Sequence, residues 1–326
     1  MNEKDHNRAT YIDQISGLLI VYMILYHIFQ WCDMSDICHS YWMQPLSFFM
    51  FWFFYKSGMF YREKTCKEIL YGGGKKLMVP YVIFSLIGHC FLCIQIWQNG
   101  ITDWRKYVLD PIYSIIFVGS TSGNTPLWFL PSLLAVQLIY SICSRKISDW
   151  GLAFLGILCA YLLFKYDIHK PLYLGNISLG IAVYAIGHKL KNIQFQREFL
   201  MMSLFVYFSL FYIQFYSIDF RANELLEGYY LLAVAFEFSG CLFINFCFKY
   251  LSMPFKLLEY VGKRSMAFYV MHWIVLLLCT VVCDYDGWKM FSTMLISSMI
   301  CLPIAERSIS YLNLGWVIGQ KVEKRL

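Results

Sequence analysis

The chain has 326 residues, of which 59% are hydrophobic and 19% aromatic, and its mean hydropathy is +0.53. This composition excludes a soluble globular domain and predicts an all-α bundle of membrane-spanning helices. The net charge of +6 does not indicate nucleic-acid binding, because the Lys and Arg residues fall in short clusters between apolar stretches. No polar segment is long enough for a separate core, so we expect one integral membrane domain over residues 1–326.

About ten apolar stretches are long enough, or nearly so, to cross a bilayer. They cover residues 12–31, 45–61, 77–97, 126–143, 150–164, 172–188, 199–217, 228–248, 265–283 and 289–306. If the N-terminus is cytoplasmic, twenty Lys and Arg residues lie on the inner side of this topology and six on the outer side. Because positive charge concentrates in cytoplasmic loops, we expect both termini in the cytoplasm.

The first span carries an acid near its start and a histidine near its end. Asp13 and His27 share one face of a helix with Ser16 and lie about 21 Å apart along its axis. Ionisable groups are costly in lipid and usually face the interior of a bundle. A neutral imidazole accepts a proton from a hydroxyl and returns it later, so His27 is a candidate general base. A histidine bonded to a neighbouring helix for packing alone fits the same pattern.

The second span contains Lys56-Ser57-Gly58 shortly before its inner end, and Arg62 follows it. Lys56 lies at an inner-leaflet depth similar to that of Asp13, so the two side chains could form an ion pair. The alternative is a lysine whose ammonium snorkels to the headgroups. Ser57-Gly58 allows two helix backbones to approach closely, which predicts a packing contact.

Three glycines precede Lys75 and Lys76 in the basic segment before the third span. Glycine N–H groups and lysines near the start of a helix could hold phosphate oxygens. The spacing is not that of a P-loop, and the positive charge of cytoplasmic loops explains the lysines equally well.

The longest outer connection runs from about residue 98 to residue 125 and contains Trp104 and Tyr107. It ends in a turn-rich segment with Asn124, shortly before Trp128. A polar loop with scattered aromatic side chains suits a sugar ring, so we expect Asn124 and Trp128 to contribute to an acceptor site. An interfacial segment anchored by Trp and Tyr is the alternative.

The ninth span places Ser265, Tyr269 and His272 on one stripe, at positions i, i+4 and i+7. His272 is the second histidine inside a span, and we count Tyr269 and His272 among the candidate substrate-binding residues. A hydrogen bond that serves packing is the alternative for His272. Glu237 in the eighth span is a further acid with no partner identifiable in the sequence.

The order and spacing of these segments resemble the acyltransferase-3 family of integral membrane acyltransferases, which includes enzymes that O-acetylate bacterial surface polysaccharides. The resemblance extends from the first span to the ninth and so covers nearly the whole chain. The resembling segments are Tyr11 to His27, Phe53 to Phe60, Lys76 to Tyr81, Leu127 to Pro131 and Ser265 to His272.

The resemblance implies that His27 is the catalytic histidine and that Asp13 is the catalytic acid on the same helix. Family members typically carry an Arg or Lys eleven residues before that histidine, where this chain has Ser16. Because of this departure, a family relative without catalytic activity is an alternative interpretation of the chain. The departure also motivates the hypothesis that Lys56 supplies the missing cation from the second span.

The resemblance further implies an acyl-CoA donor, most often acetyl-CoA, held from the cytoplasmic side, with no metal and no permanently bound cofactor. Lys56, Ser57, Arg62, Lys75 and Lys76 are the expected donor-side residues, since basic side chains suit an anionic nucleotide. The implied acceptor is a hydroxyl of a cell-envelope glycan, such as exopolysaccharide or O-antigen, or of a lipid-linked saccharide. The implied location is a bacterial inner membrane, in contact with its lipids.

A secondary transporter or exporter of an envelope precursor is the competing interpretation. Asp13, Lys56, His27 and Glu237 would then form a proton or substrate path. Ten spans with buried ionisable groups fit a transporter equally well, whereas the order of the resembling segments favours the acyltransferase.

Overall fold

The computed structural model describes residues 10–38, 40, 42–98, 100, 103–191, 197–213, 217–251 and 255–320. Some of the basic residues that were predicted on the cytoplasmic side lie outside these ranges, namely Lys4, Arg8, Lys321, Lys324 and Arg325. The described residues form fourteen α-helices. They are α1 (Thr10–Trp31), α2 (Ser35–Cys38), α3 (Phe49–Met59), α4 (Cys66–Gly73), α5 (Val79–Gln98), α6 (Trp104–Val118), α7 (Phe129–Cys143), α8 (Asp149–Lys165), α9 (Leu172–Leu190), α10 (Arg197–Ile213), α11 (Tyr230–Leu251), α12 (Lys256–Lys263), α13 (Ser265–Val282) and α14 (Gly287–Tyr311).

Shorter elements connect these helices. The strands β1 (Ser217–Asp219) and β2 (Glu224–Glu227) form a small antiparallel hairpin between α10 and α11. Three 3-10 segments cover Gln44–Leu46, Ser122–Trp128 and Gly315–Ile318, and a π-helical turn covers Gly74–Met78. The fold is therefore all-α apart from one hairpin, as the composition predicts.

Among the described residues, six helical segments are long and apolar enough to cross a membrane. They are Thr10–Trp31, Cys66–Gln98, Trp104–Cys143, Tyr230–Tyr250, Ser265–Val282 and Gly287–Tyr311. The other predicted spans coincide with α3, α8, α9 and α10. Because α3 has only 11 residues, it covers about half of a bilayer, and the count of ten spans stays a prediction.

The centre of the bundle is built on α3. This helix is apolar on nearly every face, and a helix of that kind is stable only when other elements surround it. Phe51, Trp52, Phe54 and Tyr55 are fully buried. Trp52 also donates its indole N–H to the side-chain oxygen of Asn245 on α11, at 2.9 Å. The core therefore fixes the position of Lys56 and Ser57, one turn further along α3.

The close helix contact predicted at Ser57-Gly58 is confirmed. A Cβ atom at Gly58 would overlap the carbonyl oxygen of Tyr184 on α9, and one at Gly187 would overlap the carbonyl oxygen of Tyr55. The two glycines thus let the α3 and α9 backbones touch. Larger side chains would push these helices apart.

The outer connection from residue 98 to residue 125 is not the loop that we expected. Most of it is α6, which begins after Asp103, whose carboxylate accepts a hydrogen bond from the Arg105 N–H at 3.0 Å. None of the α6 residues is buried. Trp104 and Tyr107 therefore lie on an outward-facing helix rather than in a loop over the bundle.

The glycine–lysine segment also differs from its expected form. The chain from Cys66 to Gln98 is one continuous helical segment, with a π-helical turn at Gly74–Met78. The Gly74 N–H already donates to the carbonyls of Leu70 and Tyr71. Inside a helix those N–H groups are used by the preceding turn, which disfavours the alternative in which they hold phosphate oxygens.

Candidate active site

A cavity of about 420 Å³ opens beside His27, and we call it the histidine cavity. Its walls come from α1, α3 and α13, from the 3-10 segments and from the β1–β2 hairpin. The lining residues are Tyr22, Met23, Tyr26, His27, Gln30, Cys38, Gln44, Ser47, Phe49, Met50, Phe51, Thr125, Pro126, Trp128, Ser217, Ile218, Asp219, Phe220, Arg221, Leu226, Tyr269 and Trp273.

Two further cavities adjoin the first. The connecting cavity, of about 140 Å³, is mostly apolar and shares Met23, Met50 and Tyr269 with the histidine cavity. The basic cavity, of about 340 Å³, shares Lys56 and Ser57 with the connecting cavity. The lining residues of the basic cavity are Lys56, Ser57, Phe60, Tyr61, Arg62, Lys64, Glu68, Ile69, Gly72, Gly73, Lys76, Leu77, Gln137 and Tyr184. Shared lining residues therefore link the histidine cavity to the connecting cavity, and the connecting cavity to the basic cavity.

The two histidines found in separate spans of the sequence are in contact. His27 Nδ1 lies 3.0 Å from His272 Nε2, and the ring planes are nearly parallel, with centroids 5.1 Å apart. His272 is fully buried, and its Nδ1 lies 2.6 Å from the Tyr269 carbonyl oxygen. His27 is only partly buried and lines the histidine cavity.

These contacts determine the tautomer of each ring. A carbonyl oxygen has no proton to give, so His272 Nδ1 must carry the proton of its bond to Tyr269. In a neutral imidazole the other nitrogen is then an acceptor, and His27 Nδ1 must donate to His272 Nε2. A neutral His27 therefore keeps its lone pair on Nε2. We call this chain of two hydrogen bonds the histidine relay.

Tyr269 fixes the segment that carries Trp128. Its hydroxyl donates to the Pro126 carbonyl, and the side-chain NH2 of Asn124 donates to the Val270 carbonyl at 3.1 Å. Both bonds hold the 3-10 segment Ser122–Trp128 against α13. Trp128 lines the histidine cavity, as expected of an acceptor-site residue, whereas Asn124 is fully buried and lines none of the three cavities.

Lys56 points into the bundle rather than towards lipid. Its ammonium donates to the Ser16 hydroxyl at 2.7 Å and lies 5.3 Å from the ring centroid of Trp52. Ser16 in turn donates to the Ile12 carbonyl at 2.7 Å. The cation of α3 thus reaches the position on α1 where the resembling family carries its own. Asp13 is buried on the same helix, one turn earlier.

The remaining basic candidates divide between two places. Arg62 and Lys76 line the basic cavity together with Lys64, which was not among the predicted site residues. Lys75 instead donates to the Tyr71 hydroxyl at 2.7 Å and lines none of the three cavities. Neighbours on a helix are turned by about 100° from each other, which separates Lys75 from Lys76.

Several polar residues of the histidine cavity were not predicted as site residues. Gln44 and Ser47 belong to a short turn before α3, and Ser47 donates to the Glu237 carboxylate at 3.0 Å. Asp219 and Arg221 come from the β1–β2 hairpin. A lone Gln before a proline and a charged pair in an outer loop carry no distinctive sequence pattern, so hydropathy could not reveal them.

Cys38, which lines the histidine cavity, does not provide a cysteine nucleophile. The residue lies outside the spanning segments, with its thiol 3.5 Å from the Tyr26 carbonyl oxygen. Burial raises the pKa of the Cys38 thiol to about 11, so the thiol stays protonated at neutral pH. A protonated thiol is a weak nucleophile, so Cys38 is not set up for nucleophilic attack at neutral pH.

The chain belongs to the acyltransferase-3 family, since the family model described as an acyltransferase domain matches residues 10–305. Comparisons with curated proteins and with solved structures gave no match. The family assignment and the apolar helices together make the protein a membrane acyltransferase. The resemblance noted in the sequence is thereby confirmed at the level of the family.

Proposed function

We propose that this chain is a membrane O-acyltransferase that moves an acyl group, acetyl in the simplest case, from acyl-CoA to a hydroxyl of a cell-envelope glycan. One observation carries the proposal. The histidine relay leaves a basic nitrogen on His27, and this side chain lines a cavity large enough for a small ligand.

The donor enters through the basic cavity. Arg62, Lys64 and Lys76 line this cavity with a single acid, Glu68, which gives it an excess of positive charge suited to nucleotide phosphates. The connecting cavity then accepts the thin pantetheine arm, because its walls are largely apolar. The thioester would arrive between Lys56 and Tyr269, close to the histidine cavity.

The acceptor approaches from the histidine cavity. His27 Nε2 takes the proton of the acceptor hydroxyl as its oxygen attacks the thioester carbonyl carbon. A new carbon–oxygen bond forms, the carbon–sulfur bond breaks, and the proton passes to the CoA thiolate. A thioester is already activated, so the protein mainly aligns the two reactants and removes one proton.

Asp13 and Lys56 are proposed to support this chemistry from the inner half of α1. The ammonium of Lys56, bonded to Ser16, supplies the cation that family members carry on α1 itself. We assign Asp13 as the catalytic acid of that end. Lys56 and Ser57 line both the basic and the connecting cavity, which suits contact with the donor.

The proposed setting is a bacterial inner membrane with both termini in the cytoplasm. The basic cavity then opens towards cytoplasmic acyl-CoA, and the histidine cavity opens towards the envelope, in agreement with the charge bias of the loops. The acyl group would cross the membrane through the connecting cavity.

The test is transfer of labelled acetyl from acetyl-CoA to the envelope glycan in membranes that contain the protein. His27→Ala should abolish transfer without loss of protein. His89→Ala is the matched control, because His89 also lies on a membrane helix and lines none of the three cavities. Undiminished transfer by His27→Ala would remove His27 as the base.

The same experiment decides between the acyltransferase and the transporter. The family match favours group transfer over transport. Membrane vesicles are loaded with the unlabelled envelope precursor and given labelled acetyl-CoA. A transporter would move the precursor intact across the vesicle membrane, and no labelled acetyl would be incorporated into it.

A further inference from the structure

We propose that Gln44 forms a subsite of the histidine cavity which recognises a neutral donor–acceptor pair on the acceptor ring, such as two adjacent hydroxyls or an acetamido group. This inference rests on the proposed function and names the part of the acceptor that the cavity reads. It concerns the acceptor alone and leaves the donor side unchanged.

The side-chain amide of Gln44 is buried but unpaired. Gln44 is only 1% exposed and lines the histidine cavity. Within the part of the chain that the structure describes, neither its Oε1 nor its Nε2 has a hydrogen-bond partner. Buried amides are almost always paired, because leaving one unpaired is costly. An unpaired amide at the wall of a cavity is explained by a ligand that pairs with it.

The backbone around Gln44 is held in place from both sides. The Tyr22 hydroxyl of α1 donates to the Met43 carbonyl at 2.9 Å, and the Tyr207 hydroxyl of α10 donates to the Pro45 carbonyl at 3.0 Å. The carbonyls flanking Gln44 are therefore anchored to two different helices. Such anchoring lowers the entropy cost of ligand binding, because the backbone that carries the amide does not have to be ordered first.

The charges of the cavity favour a neutral ligand. Among the described residues, its lining has two oppositely charged side chains, Asp219 and Arg221, which lie 3.9 Å apart. The Asp219 carboxylate also accepts the Arg221 backbone N–H at 2.8 Å. These charges offset each other, and a carboxamide offers one acceptor oxygen beside two donor hydrogens. That combination matches adjacent hydroxyls better than it matches a carboxylate or a phosphate.

An aromatic wall stands beside the amide. Tyr22 and Phe49 have ring centroids 5.4 Å apart, and Tyr26 and Phe49 have centroids 6.3 Å apart. All three rings line the histidine cavity. Aromatic rings provide a flat apolar surface, on which the C–H face of a sugar ring can lie while its hydroxyls reach the amide.

The test uses Gln44→Met in the purified full chain. Met has a similar length and shape, and the wild-type amide has no partner to lose among the described residues. The variant should therefore fold and melt at the same temperature or higher, by about 2 °C if the full desolvation cost is removed. Gln98→Ala is the matched control, since Gln98 is exposed at the end of α5.

Binding is measured by quenching of tryptophan fluorescence, because Trp128 and Trp273 line the cavity. The probes are methyl α-glucopyranoside, methyl N-acetyl-β-glucosaminide and the charged methyl α-glucuronide. We expect at least one neutral glycoside to bind the wild type and the Gln98→Ala control equally. Gln44→Met should bind that glycoside about tenfold more weakly.

Four results would overturn the subsite. The first two are a glycoside affinity of Gln44→Met equal to that of the wild type, and tighter binding of the glucuronide than of the neutral glycosides. The third is the absence of saturable quenching by either neutral glycoside. The fourth is a lower melting temperature of Gln44→Met, which would reveal a structural partner for the amide. Acetyl transfer measured on the same preparation separates the two proposals. Transfer with an unchanged acceptor KM in Gln44→Met removes the subsite alone, whereas Gln44-dependent binding without transfer removes the enzyme assignment.

Discussion

Replacing His272 by Phe tests whether the histidine relay sets the reactive state of His27. Phe keeps a planar ring of similar size but removes Nε2, which accepts the His27 Nδ1 proton at 3.0 Å. Without that acceptor, the tautomer of His27 is no longer fixed. A positioned general base contributes about 10²–10⁴-fold, so we expect kcat to fall by a factor in that range. The activation free energy would then rise by about 2.7–5.4 kcal/mol.

Two features of the structure sharpen this prediction. His272 lines none of the three cavities, so the KM for acyl-CoA should not change. The fold should weaken by about 1–3 kcal/mol, because the His27 N–H and the Tyr269 carbonyl each lose a partner. His272→Gln retains an amide oxygen as a possible acceptor and should fall between the wild type and His272→Phe.

The assay is the initial rate of labelled acetyl transfer at saturating acyl-CoA, with protein amount and melting temperature measured on the same sample. A folded His272→Phe protein with the kcat of the wild type would refute the relay. A rise in the KM for acyl-CoA at constant kcat would also contradict it, since that pattern indicates a role in donor binding rather than in proton transfer.

Two further predictions concern α3. Lys56→Met should lower kcat by about tenfold or more, because a charge-assisted hydrogen bond to Ser16 is lost. Adding Ser16→Lys to that variant should restore part of the rate. A double variant no faster than Lys56→Met would contradict the idea that Lys56 replaces the cation on α1. Gly58→Leu should lower the free energy of unfolding by about 1–3 kcal/mol through overlap with α9. Gly72→Leu is its control, since it meets open space, and equal melting temperatures would show that the α3–α9 contact is not tight.

The longer apolar helices were largely readable from hydropathy, and α6, the longest of the four helices that were not predicted, shows the limit of that signal. α6 alternates apolar residues with Arg105, Lys106 and Asp110 and has Pro111 inside it, which lowers the apolar density that a span prediction requires. Asp103 is a helix N-cap that could have been recognised. The glycine–lysine segment was not predicted as helix because glycine disfavours a helix in an isolated sequence, whereas packing in the bundle keeps this segment helical.

The site was readable residue by residue but not as an arrangement. His27 and His272 each stood out as an imidazole in an apolar span, yet 245 residues separate them, and only the packing of α1 against α13 brings the rings together. Lys56 was linked to the inner half of α1 through similar membrane depth, and its hydrogen bond to Ser16 makes that link in the structure. No sequence pattern distinguished Gln44, because its distinguishing feature is a buried side-chain amide that has no hydrogen-bond partner among the described residues.

The connecting cavity has a consequence for the cell that carries this protein. A passage joining two polar chambers across a bilayer would dissipate the proton gradient if water filled it continuously. Here the middle section measures about 140 Å³ and is lined mainly by Ile, Leu, Met and Phe side chains. Moving a bare charge through such surroundings costs several kcal/mol, whereas an uncharged thioester passes cheaply. Under the proposed function, the constriction that guides the acyl group would therefore also limit the leakage of ions across the membrane.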